Sequence, residues 1–291
     1  MATGDILAQV ADQRTSEEIL QKVNDANIDI ENNFKLVNST IGTDNPVPLD
    51  TIILQAVYGN VFEYATAGTY TLQIPATVSK IKVTACGAGG GGGGGEEPYY
   101  GGGGGGGGDA VVDAEYAVTP QSLLTITVGA GGAGASGNSN GTNGGATTIS
   151  GVVTLAGGSG GIKGTSKNHT GSGGAGAGNG GNGGAGNWLD DDMPSTTITS
   201  QPGAKGLVGN GGAGASVTVR TEGAYTSECG IGGGGGGSLG NGGSGNTHQA
   251  IGTKPTRGGG GGGRSKWYNG SNTVTRVTKG ADGYVKITWG Y

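Results

Sequence analysis

Apolar residues near the start of the chain recur at alternating spacings of three and four. This period, with polar residues between its members, is typical of the a and d positions of a coiled coil. Thr15 and Glu18 form a possible capping box before it. One member is a polar asparagine, as in coiled coils in which a buried amide fixes the register of the chains. The positions are Leu20, Val23, Asn27, Ile30, Phe34, Val37 and Ile41.

This narrow stripe predicts a helix that holds an oligomer together, with a trimer favoured. An amphipathic helix packed on its own domain is the alternative, but it would show a wider stripe with a period of about 3.6 residues. The helix is expected to end at Gly42, and Pro46 and Pro48 then stiffen an extended connector. We therefore predict a helical coiled-coil and attachment segment at residues 1–45, and a connector with a first strand at residues 46–59.

Beyond the connector, apolar and polar residues alternate with the period of a β-strand, as in Tyr70, Leu72 and Ile74. Turns and glycine tracts separate the alternating segments. The pattern predicts a mainly β domain over residues 60–291, built as a β-sandwich. The predicted strands are 51–57, 60–65, 69–74, 80–86, 110–118, 122–128, 146–149, 152–155, 216–220 and 284–289.

Glycine supplies 73 of the 291 residues, and only four glycines precede residue 87. In residues 171–187 glycine recurs with a period of three, which is the number of residues per turn of a polyproline-II helix. Such helices can pack closely when they lack side chains, and their backbone groups then bond between helices. We predict packed polyglycine-II helices, with disorder of the tracts as the alternative. Eight prolines are too few for collagen.

The stretch at residues 89–108 consists of seven glycines, the sequence EEPYY and eight more glycines. The two glycine arms have nearly equal length, as a chain that runs up and back requires. We therefore predict two neighbouring polyglycine-II rods joined by a tip. Each arm would span roughly 22–25 Å at about 3.1 Å per residue.

Charge and targeting signals exclude several classes of function. Residues 1–50 carry nine acidic and three basic residues, and the rest of the chain is close to neutral, so no basic face for nucleic acid is expected. The N-terminus has no secretory signal pattern, and no stretch is apolar enough to span a membrane. We expect a soluble protein made in the cytoplasm. Cys86 and Cys229 are expected to be free thiols rather than a disulfide framework.

Candidate catalytic groups are sparse. His169 and His248 lie among polar turn residues without the spacing of a zinc site. The acidic run at residues 190–192 lacks the spacing of a calcium loop, and an exposed acidic tip is the preferred interpretation. Matches to glycine-rich nucleotide fingerprints are trivial in such a composition. We expect no enzyme activity, no cofactor and no metal.

If glycine builds a frame, recognition falls to the segments that abandon glycine, which are residues 96–100, 162–170, 187–202, 246–257 and 264–272. Their aromatic side chains suit protein or carbohydrate partners. The alternative is that these aromatics cap the lattice or lie between chains. The candidate receptor-binding residues are Tyr99, Tyr100, His169, Trp188, Asp190, Asp191, Asp192, Trp267 and Tyr268.

Three segments together resemble a known family: GTYTLQIPATVSKIKVTACGAGGGGG (68–93), LLTITVGAGGAGASG (123–137) and GADGYVKITWGY (280–291). They are similar to a glycine-rich β-sandwich domain of bacteriophage tail-fibre and adhesin proteins, which also occurs in anaplastic-lymphoma-type receptor kinase ectodomains. The resemblance covers roughly residues 60–291. It implies stacked polyglycine-II helices whose surface loops contact a host receptor. The expected lack of a signal peptide and membrane span argues against a receptor ectodomain.

These observations favour an oligomeric protein of the virion, with a bacterial surface glycan or protein as partner and other virion or tail proteins bound through the N-terminus. A purely structural collar or decoration protein is the alternative. An ice-binding protein is a third option, but charged and aromatic loops argue against the flat face that it needs.

Overall fold

A computed structural model describes residues 61–95, 101–135, 137–165, 170–188, 196–219, 229–247, 251–268 and 273–289. The chain divides into two units, Met1–Gly59 and Asn60–Tyr291, and every described residue belongs to the second. The described residues are mainly β and contain no α-helix. The predicted N-terminal helix and the strand predicted at 51–57 lie outside the described residues.

Fourteen strands occur in the described residues, and they form antiparallel sheets. Two four-stranded sheets, with orders β1-β14-β3-β4 and β2-β5-β6-β7, enclose one apolar core. The strands are β1 (Val61–Tyr64), β2 (Gly68–Gln73), β3 (Lys80–Cys86), β4 (Ala110–Ala117), β5 (Leu123–Val128), β6 (Thr147–Ile149), β7 (Val153–Leu155), β8 (Asn187–Trp188), β9 (Thr196–Thr199), β10 (Ser216–Val219), β11 (Cys229–Ile231), β12 (Ser265–Tyr268), β13 (Thr273–Arg276) and β14 (Tyr284–Thr288).

The sandwich core consists of inward-facing branched residues from both sheets. Val83 and Ile287 of one sheet and Ile126 of the other are at most 1% exposed. Phe62 stacks on Trp289 with ring centroids 4.9 Å apart and closes one edge of the core. The strands predicted in the two sandwich sheets are confirmed to within about two residues. The strand predicted at 216–220 forms β10, but it pairs with β9 and so does not belong to the sandwich. Five short strands, β8, β9, β11, β12 and β13, were not predicted.

Extended glycine-rich segments, here called rods, fill the rest of the described domain. Successive rods run in opposite directions and bond to one another through their backbones. Fourteen rods lie in the described residues. In chain order, rods 1 to 14 are residues 87–95, 101–109, 129–135, 140–145, 156–164, 171–177, 180–186, 200–206, 209–215, 232–238, 240–246, 251–256, 258–264 and 277–283.

The hydrogen bonds of rod 1 follow a period of three residues. The N–H groups of Gly87, Gly90 and Gly93 donate to rod 2, while those of Gly89 and Gly92 donate to rod 14. The N–H groups of Ala88 and Gly91 donate to rod 4, and that of Gly94 donates to the residue before rod 4. The carbonyl groups of rod 1 accept from rods 3, 5 and 13. Rod 1 therefore has six bonded neighbours. The period is the one expected for the polyglycine-II helices that the sequence predicts.

Four rods, which we call the inner rods, are surrounded on all sides: rods 1, 2, 10 and 13. Rods 2 and 10 also bond to six other rods each. Rod 13 bonds to rods 1, 2, 10, 11 and 14, and to rod 12 at a turn. The inner rods are buried along nearly their whole length and are almost uninterrupted glycine. The other ten rods surround them and carry an exposed non-glycine residue at about every third position, such as Asn210 and Ala213 of rod 9.

Close approach explains the glycine of the inner rods. A Cβ added to Gly104, Gly105 or Gly106 would lie closer than 3.0 Å to a backbone carbonyl oxygen of a different rod in each case. No rotation of the rod relieves this contact, because neighbours lie on every side. The described glycine tracts are thus held by close packing and by backbone hydrogen bonds between rods, as the prediction of ordered tracts requires.

Rods 1 and 2 lie side by side and run up and back, as the sequence of residues 89–108 predicts. Their backbones bond between Gly87 and Asp109, between Gly90 and Gly106, and between Gly93 and Gly103, at 2.8–2.9 Å. This part of the prediction is confirmed. The connecting tip, residues 96–100, lies outside the described residues.

Polar side chains close the seams between neighbouring outer rods. Asn143 of rod 4 accepts from the Gly160 N–H at 2.9 Å, and Asn182 of rod 7 accepts from the Gly176 N–H at 2.8 Å. The Thr142 hydroxyl of rod 4 accepts from the Ala133 N–H of rod 3 at 2.7 Å. These side chains satisfy backbone donors that would otherwise face solvent at the rim of the lattice. The polar residues between the glycines are therefore part of the frame.

Candidate binding surface

The two ends of the rod lattice differ in how the rods are connected. At one end, here called the sandwich end, six rods continue directly into strands of the two large sheets, and the other eight are joined in pairs by turns of one or two residues. Each turn is closed by a backbone bond, such as that from the Gly180 N–H to the Ala177 carbonyl at 2.7 Å. Gly178, with φ of 49°, and Arg257, with φ of 36°, supply the left-handed backbone of two turns.

At the opposite end, here called the far end, seven pairs of rods are joined by connections of four to sixteen residues. Rod 2 begins there beside the carbonyl groups of Asn187 and Ile231, which places β8 and β11 at the far end. Each connection includes residues that lie outside the described part of the chain. The lattice thus gathers the long, glycine-poor connections at one end and only minimal turns at the other.

Short strands lead into three of the far-end connections. In the sheet with order β13-β12-β11-β8, Gly230 of β11 pairs with Trp188 on one side and with Lys266 on the other. Trp267 pairs with Cys229, and Tyr268 pairs with Thr273. The backbone of Trp188 therefore lies in the same far-end sheet as those of Trp267 and Tyr268, although Trp188 is about 80 positions away from them in the sequence.

The other candidate residues lie outside the described part of the chain. They are Tyr99, Tyr100, His169 and the acidic run Asp190, Asp191 and Asp192. The predicted oligomerisation positions at 20–41 also lie outside it. The rods that flank the candidate residues are described, however, and each of them ends at the far end. The assignment of these residues to the binding surface stays a prediction.

Two features of the far end were not among the predicted binding residues. The first is residues 220–228, a charged segment that connects β10 to β11. The second is Arg264, which ends inner rod 13 and is only 7% exposed. Its Nη1 donates to the Gly95 carbonyl at 3.5 Å, and its backbone N–H donates to the Gly93 carbonyl at 2.9 Å. A lone charged residue at the end of a run of six glycines was the available signal.

Ionisable groups at the sandwich end have structural partners. The Arg257 guanidinium lies 4.5 Å from the ring centroid of Tyr284. Burial, together with a hydrogen bond that the Tyr284 hydroxyl donates to the Glu63 carboxylate, raises the pKa of Tyr284 to about 12. Burial raises the pKa of the Cys86 thiol to about 12, despite its contact with Ser238. Cys86 is free, as predicted. A neutral, enclosed thiol is a poor nucleophile.

Asp282 ties rods 14 and 3 to a loop of the sandwich. Its carboxylate accepts from the Gly131 N–H at 2.8 Å, from the Lys279 ammonium at 3.1 Å and from the Ala67 N–H at 3.4 Å. Burial alone would raise the pKa of Asp282, but these donors outweigh it and the pKa lies below its ordinary value. The charged form of Asp282 is therefore the one that the fold stabilises.

Other kinds of site are not seen in the described part of the chain. It holds no group of three or more histidine, cysteine or acidic residues arranged for a metal ion, and none of its helices is long and apolar enough to cross a membrane. A groove of about 320 Å³ on the sandwich is lined by Lys80, Ile81, Lys82, Glu115, Thr288 and Trp289. Lys82 and Glu115 pair with each other there at 3.6 Å.

A comparison with protein families gives a match. The model of a family described as a glycine-rich domain matches residues 65–290, which is most of the chain. The comparison with curated proteins found no match. The matched range includes all fourteen rods and every strand of the two sandwich sheets except β1. The chain therefore belongs to the glycine-rich domain family.

Proposed function

We propose that this protein is a tail-fibre or adhesin-type component of a virion. Its glycine rods are polyglycine-II helices that form a rigid frame, and the far-end connections bind a receptor on the host-cell surface, either a bacterial glycan or a protein. The N-terminal segment forms an oligomer, with a trimer favoured, and attaches it to other virion or tail proteins. The protein has no catalytic activity, requires no cofactor, and neither binds nucleic acid nor inserts into membranes.

The asymmetry between the two ends carries this proposal. Turns of one or two residues at the sandwich end contrast with connections of up to sixteen residues at the far end. Stability requires only short turns, so long connections restricted to one end point to a use other than folding. Loops on a rigid scaffold are the usual place for recognition. The family membership and the resemblance to phage fibre domains agree with this interpretation.

The composition supports the same division of labour. The inner rods have almost no side chains with which to contact a partner, so binding energy has to come from the connections. These hold Tyr99, Tyr100, Trp188, Trp267 and Tyr268, and tyrosine and tryptophan are enriched among residues that dominate interface energies.

Adsorption to host cells tests the proposal. Labelled wild-type protein is mixed with a panel of bacterial strains, and depletion from the supernatant is measured. We expect adsorption to at least one strain and its loss when Tyr99, Tyr100, Trp188 and Trp267 are replaced by alanine, with the unfolding midpoint retained. Leu207→Ala with Val208→Ala is the matched control, because both side chains are exposed at the sandwich end, by 43% and 53%.

Two results contradict the proposal. Wild-type protein that adsorbs to no strain favours the purely structural collar or decoration role. If adsorption is retained after the fourfold substitution but lost in the sandwich-end control, the binding surface lies at the sandwich end and not at the far end.

Oligomerisation is tested separately by light scattering. We expect a trimer for the full chain and a smaller assembly after deletion of residues 1–42. A monomeric full chain would contradict the coiled-coil prediction, whereas a dimer would contradict only the number of chains.

A further inference from the structure

Six Asn–Gly pairs lie in the described residues, and this dipeptide is chemically reactive. The glycine nitrogen can attack Cγ of the asparagine amide, because glycine has no side chain to hinder the approach. The Cγ–Nδ2 bond breaks, ammonia leaves with the proton of the glycine N–H, and a cyclic imide forms. Water then opens the imide at one of its two carbonyls and gives aspartate or isoaspartate. The six asparagines are Asn140, Asn143, Asn179, Asn182, Asn210 and Asn241.

The reaction requires freedom of two groups. The side-chain amide must turn back toward its own backbone, and the peptide unit that carries the glycine N–H must rotate to bring its nitrogen against Cγ. A hydrogen bond from either group to the surrounding backbone has to open before the ring can form. The lattice therefore sets the reactivity of each pair.

Five of the pairs are held at both groups. In rod 7, the Gly183 N–H donates to the Gly174 carbonyl at 2.9 Å, and Asn182 Oδ1 accepts from the Gly176 N–H at 2.8 Å. In the other four, the glycine N–H donates to a backbone carbonyl at 2.7–2.9 Å and the asparagine Oδ1 accepts from a backbone N–H at 2.9–3.0 Å. These four pairs are Asn140–Gly141, Asn143–Gly144, Asn179–Gly180 and Asn241–Gly242.

The pair Asn210–Gly211 of rod 9 is free at both groups. Within the part of the chain that the structure describes, neither the Asn210 side chain nor the Gly211 N–H makes a hydrogen bond. Asn210 is exposed, and rod 9 is an outer rod. The N–H groups of Gly209 and Gly212 donate to rod 10 at 2.7 and 2.8 Å, whereas that of Gly214, three residues after Gly211, is also unbonded within the described residues. The free N–H of Gly211 thus follows from the period of three in an outer rod.

One bond still crosses the Asn210–Gly211 peptide unit. The Asn210 carbonyl accepts from the Gly242 N–H at 2.9 Å. The Asn182 carbonyl likewise accepts from the Ala204 N–H at 2.7 Å, so the pair in rod 7 has to open this bond in addition to those of its N–H and its side chain. Ring formation at Asn210 therefore opens fewer bonds than ring formation at any of the other five pairs.

We propose that Asn210 is the site at which this frame deamidates, and that the hydrogen bonds of the lattice protect the other five described pairs. The aspartate product adds a negative charge to the surface of rod 9. The isoaspartate product also adds one methylene to the backbone, so that the N–H groups beyond residue 210 move out of phase with rod 10. The reaction consumes only water, and the inference does not depend on receptor binding.

Site-resolved mass spectrometry on the full-length protein tests this inference. The folded protein is kept in mildly alkaline buffer below its unfolding midpoint, sampled over time and digested, and aspartate and isoaspartate are quantified at the six described pairs. We expect product at residue 210 to form at least about tenfold faster than at any of the other five, since their bonds must open first. A comparable or faster rate at another of the six pairs, or no product at residue 210, would overturn the proposal.

Two controls separate the effect of the lattice from that of the local sequence. In urea all six pairs should react at similar rates, and a preference for residue 210 that persists there contradicts a structural cause. Asn210→Gln lengthens an exposed side chain by one methylene and so disfavours the five-membered ring. Product at residue 210 should then fall to background, while the other five pairs react as slowly as in wild type. Faster reaction of those five would contradict their protection by their own bonds.

Discussion

Gly105→Ala tests the reason for glycine in the inner rods. Gly105 lies midway along rod 2, where its N–H donates to the Gly261 carbonyl and its own carbonyl accepts from the Gly236 N–H, both at 2.8 Å. An added Cβ would lie closer than 3.0 Å to the Gly90 carbonyl oxygen of rod 1. Backbone atoms cannot swing aside as a side chain can, so rods 1 and 2 have to separate.

The expected cost follows from the contacts that this separation disturbs. Overpacking a buried site costs about 1–3 kcal/mol, and a weakened backbone bond such as that from Gly90 to Gly106, now 2.9 Å, adds about 1 kcal/mol. Alanine recovers about 0.4–1 kcal/mol because it restricts the unfolded chain. We therefore expect a net loss of about 2–3 kcal/mol, or a fall of about 4–12 °C in Tm for a domain of this size.

Thermal and urea unfolding followed by circular dichroism measure the effect. Ala213→Ser is the matched control, since it also adds one heavy atom but at an exposed position of rod 9, and it should change stability by less than about 0.5 kcal/mol. A Gly105→Ala protein as stable as this control would refute the close-packing explanation.

Three further predictions concern the sandwich end. Hydrogen-bond donors lower the pKa of Asp282, so its contribution to stability is present above the unfolded pKa of about 3.9 and is lost as the pH falls through the folded pKa. Asp282→Asn should therefore flatten the acid side of the curve of unfolding midpoint against pH. A curve with the same acid side as wild type contradicts this prediction. In a Cys229→Ser background, Cys86 should react with a thiol reagent at pH 8 only after urea unfolding, since burial raises its pKa to about 12; rapid native-state reaction would show that the site opens. Asn179→Ala removes two bonds to the Ala110 backbone, at 2.7 and 2.9 Å, and should cost about 1–3 kcal/mol in urea unfolding, whereas Asn210→Ala at an exposed position should be nearly neutral.

The sandwich could be predicted from the sequence because each of its strands faces one core. In β3 and β5, apolar residues that face the core alternate with residues that face solvent. In β3, for example, Ile81 and Val83 are buried, whereas Lys80 and Lys82 are exposed. Of the described far-end strands, only β10, predicted at 216–220, gave a comparable signal. β8 has two residues and β11 has three, too few for a period of two to appear. Their pairing depends on which rods lie side by side, which no local pattern encodes.

The rods were predictable in kind but not in arrangement. In outer rods such as rod 6, the period of three in the glycine positions indicates that one side of the rod faces solvent. Rods 1 and 2 are almost continuous glycine, which indicates neighbouring rods on every side. Which rods are neighbours is a long-range property: Gly90 bonds to rod 13, about 170 positions along the chain. The role of polar residues such as Asn143 and Asn182 in closing the seams follows from that arrangement.

The candidate surface was predictable as a set of segments. The segments that abandon glycine are visible in the sequence, and the lattice shows that the rods flanking them end together. Arg264 was not among the predicted binding residues, because a buried charge in a glycine run becomes informative only when its neighbours are known.

Amide hydrogen exchange tests most directly the central claim that the glycine tracts form an ordered lattice. The N–H groups of inner rods 1, 2, 10 and 13 are buried and bonded between rods, so we expect them to exchange as slowly as those of the sandwich strands β3 and β14. In outer rods such as rod 9, slow and fast exchange should alternate with a period of three residues. Uniformly fast exchange through residues 87–95 and 101–109, at the rate of an unstructured glycine chain, would contradict the account.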